Sequence, residues 1–187
     1  MIHIYCGDGK GKTTAAVGLA VRCAGAGGTV LFYQFMKPET SSERIALQQI
    51  HGITVLSGYS IHQFSFRMTP EEKAEAAIGY QKQWQSLLEQ VNQTTYQMLI
   101  LDELLSCIST GFLPLEMVLS GMEQLPKELE VVITGRNPDE KLLAIADYIT
   151  EMKNIRHPYE KHIAARKGTG AWIKPRKRNR CRLNACN

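Results

Sequence analysis

The sequence predicts an α/β fold in which a mainly parallel sheet is flanked by helices on both faces. Short β-rich runs alternate with helix-length segments along the 187 residues, the order expected of repeated βαβ units. Three of the runs, VLFYQF from Val30, MLIL from Met98 and VVIT from Val131, are nearly continuous in apolar or β-branched residues. Such runs suit strands covered on both faces and argue against a one-sided antiparallel sheet. The length is that of one domain able to enclose a core between a sheet and its helices, assigned to residues 1–170, with 171–187 as a basic tail.

Taken in order, the strands are expected at Ile2 to Cys6, Thr29 to Met36, Ile53 to Leu56, Tyr96 to Asp102, Leu129 to Thr134 and Tyr148 to Glu151. Helices are expected to begin near Lys12, Ser42, Pro70, Pro114 and Pro138, each at a recognisable start signal. Thr69 can cap the third helix, with Pro70 at its first position and Glu72 placed to complete a capping box. Asn137 before Pro138 gives the fifth a similar start.

Composition excludes several classes. Hydrophobic residues are 44% and charged residues 21% of the chain, near the globular average. No apolar run approaches the roughly 20 residues of a spanning helix. Met1 leads directly into a strand-like segment without the basic and apolar regions of a secretion signal. The five cysteines, Cys6, Cys23, Cys107, Cys181 and Cys186, have no paired metal-site spacing, so a reducing cytoplasm is the expected compartment. Charge is uneven: nine of the 22 Lys and Arg residues lie from Lys161 onward, where there is no acid, which leaves the body with 13 basic and 18 acidic residues. The stretch Lys174 to Arg180 lacks apolar periodicity and reads as a solvated arm rather than a nucleic-acid site.

The most specific motif follows the first strand: Gly7-Asp8-Gly9-Lys10-Gly11-Lys12-Thr13-Thr14, continued by the small-residue helix Ala15-Ala16-Val17-Gly18-Leu19-Ala20. A phosphate cradle needs these residue types. Glycines let the backbone turn N–H groups inward, the new helix presents its positive end, Lys12 reaches phosphate oxygens and the Thr13 hydroxyl can hold Mg²⁺. The usual G-x4-G-K-[ST] spacing would put its first glycine where Cys6 stands; the loop reads G-x3-G-K-T from Gly7, which predicts an altered phosphate geometry.

Leu99-Ile100-Leu101-Asp102-Glu103 ends a buried strand in two carboxylates, at the edge where an open parallel sheet binds ligands. One of Asp102 and Glu103 would face the metal, directly or through water, and the other would orient it or hold the loop. The strand from Val131 delivers Gly135-Arg136-Asn137 to the same edge, where Arg136 could clamp phosphate oxygens.

With these motifs in hand, the chain resembles the ATP-dependent corrinoid adenosyltransferases. The family-like stretches are GDGKGKTTAA from Gly7, Gln34 to Lys37, Leu101 to Leu104, Leu113 to Glu116, Val132 to Arg136, Ala146-Asp147 and Glu151-Met152. The resemblance implies a RecA-like P-loop sheet, a homodimer, ATP as co-substrate, Mg²⁺ on Thr13 and Glu103, and a reduced corrinoid acceptor supplied with electrons by a flavoprotein or flavodoxin-like donor. It implies transfer of the 5′-deoxyadenosyl group of ATP to Co(I) in cobalamin synthesis or salvage. Co(I) is itself a strong nucleophile, so no protein base is needed. The protein's task is to stabilise the departing tripolyphosphate through backbone N–H groups, Lys12, Mg²⁺ and Lys10 or Arg136. Tyr59 matches an aromatic position near the corrin, while Ile61 stands where a second ring is expected, so Phe64 or Phe66 would substitute. The alternative is that these aromatics pack their loop onto the helix from Pro70. His62 reads as an ordinary histidine rather than a cobalt ligand, since coordination would oppose reduction. Some members carry a helix before the first strand that covers the partner's site; without it, closure would be looser or would fall to another segment, with His157 to Gly170 the candidate. The competing functional class is a P-loop kinase or nucleic-acid-dependent ATPase, which would release ADP and phosphate.

Overall fold

In the computed structural model, which describes residues 1–59, 65–156, 158, 166, 168 and 169, six strands and six α-helices alternate. They are β1 (Ile2–Cys6), α1 (Lys12–Gly25), β2 (Val30–Gln34), α2 (Ser42–Leu47), β3 (Ile53–Val55) and α3 (Pro70–Gln93). Then follow β4 (Met98–Asp102), α4 (Leu104–Ser109), α5 (Leu115–Glu123), β5 (Glu130–Thr134), α6 (Glu140–Ala144) and β6 (Tyr148–Glu151). The strands form one sheet in the order β3-β2-β4-β5-β1-β6. Every pairing is parallel, the α/β arrangement of a P-loop nucleotide-binding fold. The expected strands are all present, trimmed by up to two residues at their ends. Among the described residues no helix is long and apolar enough to cross a membrane.

The sheet belongs to a compact unit spanning Met1–Lys153; a second unit takes in Asn154–Asn187. In that second unit Thr169 N–H donates to the Arg166 carbonyl at 3.1 Å, closing a turn.

Alternation along the strands divides the core. Ile4, Leu31, Tyr33, Leu99, Leu101, Val131 and Ile133 point to one face, where they pack with Tyr80, Trp84 and Leu87 of α3, Leu104 and Leu105 of α4 and Val118 of α5. Val30, Phe32, Ile100 and Val132 point to the other, against Ala16 and Ala20 of α1 and Leu47 of α2. Full burial of each large side chain contributes about 1.5–3 kcal/mol relative to exposure, and β2 and β4 are buried along their whole length. That explains their unbroken apolar runs. Ala16 and Ala20 have no exposed surface, and their small size lets α1 lie close to the sheet and aim its first turn at the strand ends.

The Thr69 capping box forms as expected: Glu72 N–H donates to Thr69 Oγ1 at 3.2 Å and Thr69 N–H to Glu72 Oε2 at 2.7 Å. The fifth expected helix starts later than Asn137-Pro138 suggested. Asp139 is its cap, accepting from Lys141 N–H at 2.9 Å, while Asn137 sits at φ 49 in the preceding loop. An additional helix, α4, follows Glu103 directly; at six residues it is too short for periodicity to reveal. Among the described residues, the non-glycine positions with positive φ are Met36, Glu103 and Asn137. All three follow the C-terminal ends of central strands, β2, β4 and β5. Backbone strain of this kind gathers where a fold presents its binding edge.

Candidate nucleotide and metal site

The glycine loop leaves β1 at Gly7 and enters α1 at Lys12. Gly7 and Gly11 have φ 99 and 115, a region that side chains other than glycine's rarely adopt. Gly9 is fixed for a different reason: a Cβ there would lie 2.6 Å from Met152 O and 2.8 Å from Lys153 O. The loop runs along the chain that leaves β6, with Gly9 N–H donating to Met152 O at 2.7 Å and Met152 N–H to Cys6 O at 2.9 Å. The shortened loop that begins after Cys6 is thus braced by the neighbouring strand. Lys12 is buried, and its Nζ donates to the carbonyls of Gly7 at 2.7 Å and Gly9 at 2.8 Å. Those carbonyls hold the ammonium inside the hollow of the loop. Asp8, Lys10 and Thr14 are exposed around the loop, and Thr13 is half-buried.

Asp102 ends β4 with no exposed surface, and three donors converge on its carboxylate. Thr134 Oγ1 donates to Oδ1 at 2.6 Å; Gln34 Nε2 and Lys37 Nζ donate to Oδ2 at 2.8 and 2.9 Å. Lys37 Nζ also reaches Thr13 Oγ1 at 2.9 Å and Glu43 at 3.6 Å. Gln34 is the register partner of Asp102 across β2 and β4, so sheet pairing itself sets that bond. Thr134 lies at the end of β5, and its hydroxyl accepts the Glu103 N–H at 2.9 Å while donating to Asp102. Glu103, left-handed at φ 59, turns its carboxylate to Ser106 Oγ at 2.5 Å.

These contacts set the electrostatics. Burial holds the Lys12 ammonium below the ordinary lysine value, and the nearby Arg136 charge adds to the effect. Glu103, Asp8 and Asp102 are the negative charges near it and act against that lowering. Lys37 goes the other way: burial disfavours its charge, but Asp102 outweighs that loss and holds it above the ordinary value. Burial raises the Cys6 thiol beside the loop, which marks it as a packing residue.

The structure thus brings Gly7, Gly9, Gly11, Lys12, Thr13, Asp102 and Glu103 to one edge, with Arg136 exposed near Lys12. Tyr59 lies elsewhere. Its ring packs against Gly79 and meets Tyr80 edge-on at 5.0 Å, and its backbone is held by Tyr33 Oη at 3.1 Å and Gln83 at 3.1 Å. Phe64, Ile61 and His62 fall outside the described residues, as do most of His157 to Gly170 and the whole 171–187 tail; Phe66 lies in a 3₁₀ turn, Ser65–Arg67. Sequence reasoning gave no role to Lys37, Thr134, Gln34 or Met152. Lys37 had two signals, its place in the family-like stretch Gln34 to Lys37 and its position three residues past the end of β2. Thr134 and Met152 had only their places in the stretches Val132 to Arg136 and Glu151-Met152, since their parts depend on which strands become neighbours.

Comparison with known proteins identifies the family. Residues 1–170 match the model of the family described as ATP:corrinoid adenosyltransferase BtuR/CobO/CobP. A corrinoid adenosyltransferase of Escherichia coli K12 is 29% identical over 168 residues, covering 90% of this chain and 84% of that protein. One from Sinorhizobium is 30% identical over 169 residues, covering 90% of this chain and 78% of its own length. Salmonella typhimurium CobA, a corrinoid adenosyltransferase, is 29% identical over 168 residues, again 90% of this chain and 84% of that protein. With a braced glycine loop, a lysine in its hollow and a carboxylate pair on the adjoining strand end, this chain belongs to the ATP:corrinoid adenosyltransferase family.

Proposed function

We propose that the protein transfers the 5′-deoxyadenosyl group of ATP to the Co(I) of a corrinoid at this edge and releases intact tripolyphosphate. The observation that carries the proposal is Lys12, poised between the Gly7 and Gly9 carbonyls at the head of α1, in a chain that matches the family over residues 1–170. The Lys12 ammonium exchanges those two carbonyls for phosphate oxygens, joined by N–H groups of the loop and of the first turn of α1. Arg136, exposed at the rim, adds a second positive charge. As the cobalt lone pair forms the Co–C bond, the C5′–O bond breaks and its electron pair leaves with the tripolyphosphate. Lys12 and the backbone dipoles are already placed for that charge, so little reorganisation is required. No side chain has to remove a proton.

The residues present fit a magnesium ion. Lys37 Nζ marks a cation position 2.9 Å from both Thr13 Oγ1 and Asp102 Oδ2, and hydroxyl and carboxylate oxygens are the ligands that Mg²⁺ takes beside substrate phosphates. Thr13, Asp102 and Glu103 would hold it, and when bound it supplies charge to neutralise the triphosphate. Tyr59 and Phe64 belong to the corrin side in this proposal; the Tyr59 main chain is held by Tyr33 and Gln83. A homodimer, a flavoprotein or flavodoxin-like electron donor and a cytoplasmic setting complete the proposal, as the family resemblance suggests.

The deciding experiment is anaerobic incubation with ATP, Mg²⁺ and chemically reduced corrinoid. A light-sensitive adenosylated corrinoid and stoichiometric tripolyphosphate are expected. ADP and phosphate without a cobalt–carbon product would overturn the proposal and favour a kinase or ATPase.

A further inference from the structure

We propose that Lys37 is an internal counter-ion that occupies the metal position until a metal–triphosphate complex displaces it, so that divalent metal enters with the nucleotide and not ahead of it. The inference rests on the reading of Thr13 and Asp102 as metal ligands. Lys37 Nζ lies 2.9 Å from Asp102 Oδ2, 2.9 Å from Thr13 Oγ1 and 3.6 Å from Glu43. A cation held between a hydroxyl and a carboxylate occupies the position that the proposal gives to the metal, for which Thr13 and Asp102 would be ligands.

Three features make this a replaceable plug rather than a fixed ion pair. Asp102 has no exposed surface, and a buried carboxylate without a counter-charge is strongly destabilising. Lys37 supplies that charge while no metal is present. Its own side chain keeps 27% of its surface exposed, so the ammonium can swing out without disturbing the core. When it leaves, Thr134 and Gln34 still donate to Asp102 at 2.6 and 2.8 Å, so the carboxylate stays oriented for the incoming ion. Placement is enforced by the backbone: Met36, just before it, has φ 56, and its N–H is pinned to Tyr80 Oη at 3.0 Å. That turn at the end of β2 directs the chain back across Asp102, and a side-chain-bearing residue adopts it only when its surroundings compel it.

The consequence is an order of entry. Free Mg²⁺ would face an ammonium at its own position and the nearby Lys12. A metal already bound to triphosphate brings negative charge for both lysines, so displacement becomes favourable. Lys37 is thus a positioning residue that acts through Asp102.

The test is Mn²⁺ binding, followed by electron paramagnetic resonance, to wild type and to Lys37→Met without nucleotide. Lys37→Met should bind free Mn²⁺ about tenfold or more tightly, since removing a unit charge a few ångströms away exceeds that factor at protein dielectric. Lys37→Arg should restore exclusion, and adding Asp102→Asn to Lys37→Met should abolish the gained site. Thermal stability of Lys37→Met should drop and recover with Mn²⁺ alone. If Lys37→Met does not fold, Lys37→Gln gives the same comparison. Unchanged free Mn²⁺ binding overturns the inference, as does a variant that loses only metal-free ATP binding, which would make Lys37 a phosphate ligand. The underlying metal-site reading fails separately, if Thr13→Ala binds Mn²⁺–ATP with an unaltered spectrum.

Discussion

Replacing Thr134 with valine changes one buried atom group and should be felt at the Asp102 carboxylate and at the Glu103 main chain. The side chain has no exposed surface, and its hydroxyl donates to Asp102 Oδ1 at 2.6 Å while accepting the Glu103 N–H at 2.9 Å. Valine matches the shape, so the loss is the hydroxyl's bonding and not a cavity. A hydrogen bond to a charged group contributes about 1.5–3 kcal/mol, and the half-buried Glu103 N–H left without its partner costs toward the lower end of about 1–3 kcal/mol. Gln34 and Lys37 remain on the other oxygen of Asp102, which places the sum toward the lower end, about 3 kcal/mol. In urea, with a slope of about 2 kcal/mol per molar, the midpoint should fall by roughly 1.5 M. Thr134→Ser keeps the hydroxyl and should lose about 1 kcal/mol or less, the value of a trimmed methyl group. A valine variant within about 1 kcal/mol of wild type, or a serine variant as unstable as valine, would show that Thr134 does not organise Asp102 and Glu103.

Lys12→Ala should reduce kcat/KM by about 100-fold, the loss of roughly 3 kcal/mol expected for one preorganised charged donor; a near-normal rate in the adenosylation assay removes Lys12 from the phosphate site. Gly9→Ala should abolish ATP binding in calorimetry while the circular dichroism spectrum stays native, because the new methyl meets the Met152 and Lys153 carbonyls at 2.6 and 2.8 Å and pushes the loop off β6. The pH dependence of ATP binding has a definite sign. Burial and Arg136 hold Lys12 below the ordinary lysine value in the free protein, and bound phosphate raises it. Between the two values binding therefore takes up a proton, and affinity falls as pH rises through the free-protein value. Titrations at alkaline pH in buffers of different ionisation enthalpy measure that proton, and its absence would count against the lysine's role.

What could be read from the sequence alone is what the chain encodes locally. The buried runs of β2, β4 and β5 are continuous in apolar residues because both sheet faces are covered. The Thr69–Glu72 capping box spans one helical turn. Gly7 to Thr13 is contiguous because a phosphate is gripped by successive N–H groups and the helix that follows them. Asp102 and Glu103 were recognisable as a strand-end pair for the same reason. The start of α6 was misplaced because Asn137 and Asp139 are both competent caps, and only the Gly135 to Pro138 loop path decides which one faces the helix.

Tertiary structure decided everything that depends on strand order. β5 lies between β4 and β1, which brings Thr134 onto Asp102 across 32 positions of sequence. β6 pairs with β1 on the other side, and that alone puts Met152 under the glycine loop. Lys37 meets Thr13 across 24 positions and Asp102 across 65, a convergence that no spacing rule encodes. Local propensity fixes which residues can bend, cap or alternate; which of them share one cation is set by the parallel pairing of distant strands, where buried charge finds its partners only after the sheet has closed.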